Sequence, residues 1–309
     1  MEEIIPLNDV ISKVLTFYIL GIFGILSRKF GFIEEKACSS FNDIVLFITM
    51  PSLIFVSIIN NKWNDLIEGI FTPLISIIIV MIIIVFSFYL GKILFLKKEN
   101  IGTFMILSSM PNSGFLGFPI ILTFFGKESL IYAILFDFGI TICFFTIATI
   151  VLRKKFFMEK SYKILFHPAL VVFGLGLIVN RFGISIPNTF IESLNIIGNM
   201  TIPMVMLIMG YNLAGINIKK DTVSYELIII SLIKLIICPC LAYILLLYLN
   251  INPLIKAIVI IESAMPSMAS TSILVQKYGG NLKLSTTGIF FTTLISIFSI
   301  PFIFKIFIL

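Results

Sequence analysis

The chain has 309 residues, 59% of them hydrophobic and only 12% charged, about half the roughly 25% charge of a soluble domain. With 32 Phe and a mean hydropathy of +1.13, a soluble globule is excluded. The formal charge of +6 would point to nucleic acid in a soluble chain, but here the basic residues fall in short connections between apolar runs, where they set topology.

Uncharged runs from Gly69 to Gly91, Ile101 to Gly126 and Leu284 to Phe304 exceed the roughly 18 residues that read as a membrane-spanning helix. Apolar runs and their polar interruptions predict an all-α integral membrane protein of ten spans: 10–27, 41–59, 71–95, 103–125, 129–152, 165–182, 190–214, 223–249, 254–276 and 285–308. Both termini then share one side. Fifteen of the 22 Lys and Arg, among them Arg28, Lys29, Lys97, Lys98, Arg153 to Lys163, Lys219 and Lys220, fall on the opposite side. Only Lys13, Lys62, Lys127, Arg181, Lys256 and Lys305 share the side of the termini, and Lys234 lies inside a span. Basic loops stay cytoplasmic, so both termini are expected outside and the Arg153 to Lys163 connection inside. Glu2 and Glu3 do not make the basic leader of a signal peptide.

The halves resemble each other in order. Lys29-Phe30-Gly31-Phe32 returns as Arg181-Phe182-Gly183-Ile184, Thr49-Met50-Pro51 as Thr201-Ile202-Pro203, and Ser108-Ser109-Met110-Pro111-Asn112 as Ser263-Ala264-Met265-Pro266-Ser267. Five spans per half is an odd number, so two such repeats, 1–157 and 158–309, enter the membrane from opposite sides. Inverted repeats are the arrangement of many secondary transporters, which bind substrate near the midplane where the repeats meet.

The fourth span carries Met110-Pro111-Asn112-Ser113-Gly114-Phe115-Leu116-Gly117-Phe118-Pro119, two prolines and two glycines in ten residues. Proline removes a donor and clashes with the preceding turn, and glycine adopts conformations other residues resist. The ninth span carries Pro266 followed by Ser267, Ser270 and Thr271. Two discontinuous helices are therefore expected, with Pro111, Gly117, Pro119 and Pro266 as hinges. Their half-helix N-termini suit a carboxylate, and Asn112, Ser113, Gly114, Ser267, Ser270 and Thr271 would surround it. The bland alternative is a pair of proline kinks patched by Ser and Thr.

Charges at membrane depth usually face an interior partner or a pathway. Asp137, Lys234 and Glu262 qualify, whereas Lys13 and Asp43 lie near span ends and can reach the interface. Glu262 stands one turn before Met265-Pro266 and suits a coupling cation or proton. The alternatives are an ion pair of Lys234 with Glu262 or Asp137, or Lys234 facing the substrate itself. A single His167 and the scattered Cys38, Cys143, Cys238 and Cys240 supply neither the clustered ligands of a metal site nor a disulfide framework. No cofactor is expected beyond an H+ or Na+ for coupling. Nothing resembles a P-loop, a filter motif or a pair of catalytic carboxylates, which disfavours a pump, a channel and an enzyme; a receptor stays open.

The motif Met110 to Pro119, Ala264-Met265-Pro266-Ser267, Gln276-Lys277-Tyr278-Gly279-Gly280 and Lys234 with Pro239 resemble the auxin efflux carrier family, along essentially the whole chain. That family includes plant PIN-type carriers and prokaryotic malate and malonate permease-like members. The resemblance implies a fold like that of bile-acid and sodium/proton carriers, in which helices 4 and 9 cross where they unwind. It implies a scaffold of spans 1, 2, 6 and 7, a moving body of spans 3–5 and 8–10, a homodimer in the cell membrane, and Asn112 at the substrate-contacting crossover. The substrate expected is a small organic anion such as malate or malonate, carried by alternating access. The long cytoplasmic loop of plant PIN-type carriers is absent, which disfavours auxin.

Overall fold

At membrane depth no water satisfies backbone N–H and C=O groups, so a spanning chain must close its hydrogen bonds within itself, as helices do. The computed structural model describes residues 7–153, 168–216 and 224–308, and these are helical almost throughout, with no strand among them. In chain order the helices are α1 (Leu7–Lys29), α2 (Glu35–Asn60), α3 (Trp63–Ile93), α4 (Lys98–Ser109), α5 (Ser113–Arg153), α6 (Pro168–Phe182), α7 (Asn188–Ala214), α8 (Tyr225–Leu247), α9 (Pro253–Ser263), α10 (Thr271–Tyr278) and α11 (Leu282–Phe307). Seven of them, α1, α2, α3, α5, α7, α8 and α11, are long and apolar enough to cross a membrane. The chain is an all-helical integral membrane protein.

The remaining four are short for physical reasons. At 1.5 Å per residue, the 12 residues of α4, 11 of α9 and 8 of α10 reach only about 18, 17 and 12 Å against a hydrocarbon core of about 30 Å. α4 and α9 end where the sequence places the two breaks, and α5 and α10 follow. The α6 helix is apolar and 15 residues long, and residues 154–167 before it, with His167 and the basic connection, lie outside the described residues. The expected gap between spans 4 and 5 is reduced to one residue inside α5, Gly126, at φ 80° and ψ 179°.

Three prolines inside long helices follow a single widened π-turn: Val45–Thr49 before Pro51, Ser113–Gly117 before Pro119, and Ile233–Ile237 before Pro239. A π-turn shifts the backbone register by one residue, which relieves the clash of the proline ring with the preceding turn.

Helix α1 lies against the Thr201–Ala214 part of α7, the Met50–Asn60 part of α2 packs on α6 and on Asn188–Asn199, and α3 packs on α4 and α5. The α1–α7 approach is close enough that a Cβ on Gly24 or Gly210 would strike the facing backbone, of Leu207 and Gly21 respectively. Lys13, near a span end, turns inward: it donates to the Thr123 carbonyl at 3.3 Å and lies over the Phe124 ring, beside the Gly126 break.

Candidate functional site

The two breaks meet. Residues 110–112 and 266–268 run antiparallel, with Pro111 opposite Ser267. The Asn112 N–H donates to the Pro266 carbonyl at 2.8 Å, and the Met268 N–H donates to the Met110 carbonyl at 3.0 Å. In this register Pro111 and Ser267 form a non-hydrogen-bonded pair, so the donor that Pro111 lacks is never required. The Ser267 N–H turns instead to the Thr292 hydroxyl at 3.2 Å, and its own hydroxyl donates to the Leu107 carbonyl at 2.7 Å. Unwound backbone buried at membrane depth is thus satisfied by its counterpart in the other half.

Helix α8 secures the ends that the breaks leave open. A helix C-terminus has orphan carbonyls and carries the negative end of the dipole. Lys234 donates to the carbonyl of Ser263, the last residue of α9, at 2.9 Å. One turn on, the Cys238 thiol donates to the carbonyl of Ser108 near the end of α4 at 3.4 Å. Lys234 is 1% exposed and does not line the cavity described below.

A cavity of about 350 Å³ opens beside the crossing. Asn112, Gly114 and Ser270 line it at the breaks, with Asp137 and Thr141 from α5 and Met268, Lys277 and Tyr278 from the second broken segment. The rest of its wall is apolar and rich in rings: Phe115, Phe118, Phe138, Phe144, Phe145 and Phe173. The side chains of Asn112 and Ser270 cap no helix, which leaves their polar atoms for a ligand.

The other residues singled out in the sequence are held around this wall. Ser113 is fully buried and donates to Asp137 Oδ1 at 2.6 Å, and a Cβ on Gly114 would lie 3.4 Å from the same oxygen. Asp137 therefore stands against the first turn of α5, where the sequence placed a half-helix end for a ligand carboxylate. Ser267 faces Leu107, as above, and the buried Thr271 hydroxyl has no partner. Pro111 and Pro266 form the crossing, and Gly117 and Pro119 follow it in α5. Glu262 is 0% exposed, with no hydrogen-bond partner on either carboxylate oxygen among the described residues, so it makes no contact pair with Lys234. Its carboxylate occupies the space over Gly117, where a Cβ would collide with it.

Also lining the cavity, Lys277 is exposed and its ammonium lies 5.2 Å from the Tyr278 ring, which the Arg153 guanidinium also faces at 4.2 Å. The turn after it has Gly279 and Gly280 at φ 91° and 132°, and is tied to α4 by Asn281, whose N–H donates to Thr103 at 3.0 Å and whose amide donates to Asn100 at 2.9 Å. Thr141 was missed in the sequence, although its spacing of four from Asp137 puts both on one helical face.

The model of the family described as membrane transport protein matches residues 9–164 and 157–304. An uncharacterized transporter of Methanocaldococcus jannaschii is 32% identical over 300 residues, covering 94% of this chain and 95% of the relative. A second uncharacterized transporter, from Methanothermobacter thermautotrophicus, is 25% identical over 297 residues, or 94% and 96% of the two chains. The chain belongs to the membrane transport protein family, that of the auxin efflux carriers.

Proposed function

We propose that the protein is a secondary carrier of small organic anions working by alternating access. The observation that carries this reading is the cavity at the crossing of two broken segments, with the uncommitted side chains of Asn112 and Ser270 beside the backbone pair. A carboxylate there would accept from Asn112 and Ser270 at the α10 N-terminus, since Asp137 already stands against the first turn of α5. Lys277, also lining the cavity, draws anions in.

Among anions, the wall favours one with an apolar body. A cavity of about 350 Å³ falls within the ~300–1,000 Å³ of ligand clefts, and a dicarboxylate as small as malonate would leave most of its rings without contact. An aromatic or branched monocarboxylate covers them; malate and malonate are the second reading. The packing of α1, α2, α6 and α7 on one another supports their role as a scaffold against which the other helices move, in a homodimer of the cell membrane built from two inverted repeats.

The test is counterflow in proteoliposomes with labelled malate, malonate and indole-3-acetate. Saturable exchange of any of the three supports a carrier. Binding without exchange would make the protein a receptor instead.

A further inference from the structure

We propose that Asp137 and Glu262 form a proton pair across the first turn of α5, with Asp137 the door to the cavity and Glu262 the sealed store. The inference rests on the carrier reading and adds to it the coupling ion and its route.

An ionised carboxylate without a single hydrogen bond is among the costliest of buried groups. Glu262 is fully enclosed and both its oxygens lack partners, so its socket calls for a positive companion. Lys234 is not that companion at contact range, because its ammonium is bonded to Ser263 and is no hydrogen-bond partner of Glu262. A hard metal cation takes several oxygen ligands, and these would have to be backbone carbonyls and hydroxyls, since among the described residues no group of three or more His, Cys, Asp or Glu is placed to hold one. A proton needs no ligand shell.

The route lies in one turn. Gly114 and Gly117 stand three residues apart in the π-turn Ser113–Gly117. A Cβ on Gly114 would lie 3.4 Å from Asp137 Oδ1, and one on Gly117 would collide with the Glu262 carboxylate. Both acids thus abut the same turn, through its two bare Cα atoms, and they act on each other electrostatically. Only Asp137 lines the cavity. The groups around it are the Ser113 hydroxyl of its own helix, Glu262 of α9, and, among the lining of the same cavity, Lys277 and Tyr278 of α10. Lys234 and Cys238 of α8 stand behind Glu262.

In the transfer, which a water must bridge because no Asp137 atom lies within hydrogen-bond distance of Glu262, the O–H bond of the Asp137 carboxyl breaks and an O–H bond forms on the Glu262 carboxylate. The pair keeps one proton and one negative charge throughout. A second proton on the reopened Asp137 removes the charge that would repel an organic anion in the same cavity. Anion and proton then favour each other's binding by the same factor.

Infrared difference spectroscopy on the purified full chain tests this without any substrate. Glu262→Gln should remove one carboxylic-acid C=O band that is insensitive to sodium chloride. Asp137→Asn should keep that band but slow its shift on transfer into D2O by about tenfold or more. A spectrum unchanged by Glu262→Gln, a wild-type band erased by sodium chloride, or equal exchange in Asp137→Asn would each overturn the pair. Should Glu262→Gln fail to fold, Glu262→Asp serves in its place: the band must shift. Counterflow of the three labelled acids is measured separately, so failure of the carrier reading and failure of the proton pair are distinguishable.

Discussion

The backbone amide of Asn112 donates to the carbonyl of Pro266 at 2.8 Å, and this bond separates the residue's two roles. Its main chain holds the two broken segments together, and its side chain, which caps nothing, is left to the cavity. Asn112→Ala should therefore leave the fold intact while weakening binding of the best anion found by counterflow. Loss of one hydrogen bond to a charged group in a desolvated site costs roughly 1–3 kcal/mol, about tenfold or more in affinity. Calorimetric titration of the purified variant checks it; wild-type affinity would remove Asn112 from the site.

Ser267 should behave in the opposite way. Its hydroxyl is 0% exposed and donates to Leu107 at 2.7 Å across the crossing. Ser267→Ala is expected to lower stability by about 1 kcal/mol and to leave anion affinity unchanged. Thermal unfolding in detergent and the same titration separate the two effects.

The breaks themselves are legible in the sequence, because two prolines and two glycines within ten apolar residues cannot continue an ordinary helix. Their antiparallel register is not, since backbone groups pair without regard to side-chain identity and the pairing forms only when distant segments fold together. The cavity was half legible. Asn112, Gly114, Asp137 and Ser270 carry a polar or glycine signal, whereas Phe138 and Phe173 sit in helices with apolar residues on every face, so the rings turned to the cavity do not stand out. Lys234 shows the same limit: its partner is a carbonyl exposed by a helix end, and no side chain announces it.

Gly117 offers a test of space rather than charge. A methyl at this position would enter the volume of the Glu262 carboxylate, and overpacking of a tight interior costs typically 1–3 kcal/mol. Gly117→Ala should lower the unfolding temperature, and the smaller acid in Gly117→Ala, Glu262→Asp should recover part of the loss. No recovery would show that the strain lies in the backbone of the turn.

The orientation of the chain is expected from its charge. With fifteen basic residues on one side and six on the other, a cysteine placed at position 2 should react with an impermeant reagent added outside, and one at position 158 should not. Both positions lie outside the described residues. The reverse labelling pattern would invert the topology and with it the side on which Lys277 meets an incoming anion.

Lys234 and Glu262 give the last prediction. Were they a buried ion pair, removing either charge would strand the other at about 3–5 kcal/mol, and neutralising both would restore stability. Instead the ammonium donates to Ser263 at 2.9 Å, and neither Glu262 oxygen has a hydrogen-bond partner. Lys234→Met removes a donor from the end of α9 and leaves a buried carbonyl unsatisfied, a loss of about 1–3 kcal/mol. Adding Glu262→Gln does nothing for that carbonyl, so the double variant should stay as unstable as Lys234→Met alone. The two effects should add within about 0.5 kcal/mol, the behaviour of independent sites, in a double-mutant cycle of unfolding free energies. Recovery of stability in the double variant would instead make the pair ionic and remove Glu262 as the seat of a mobile proton.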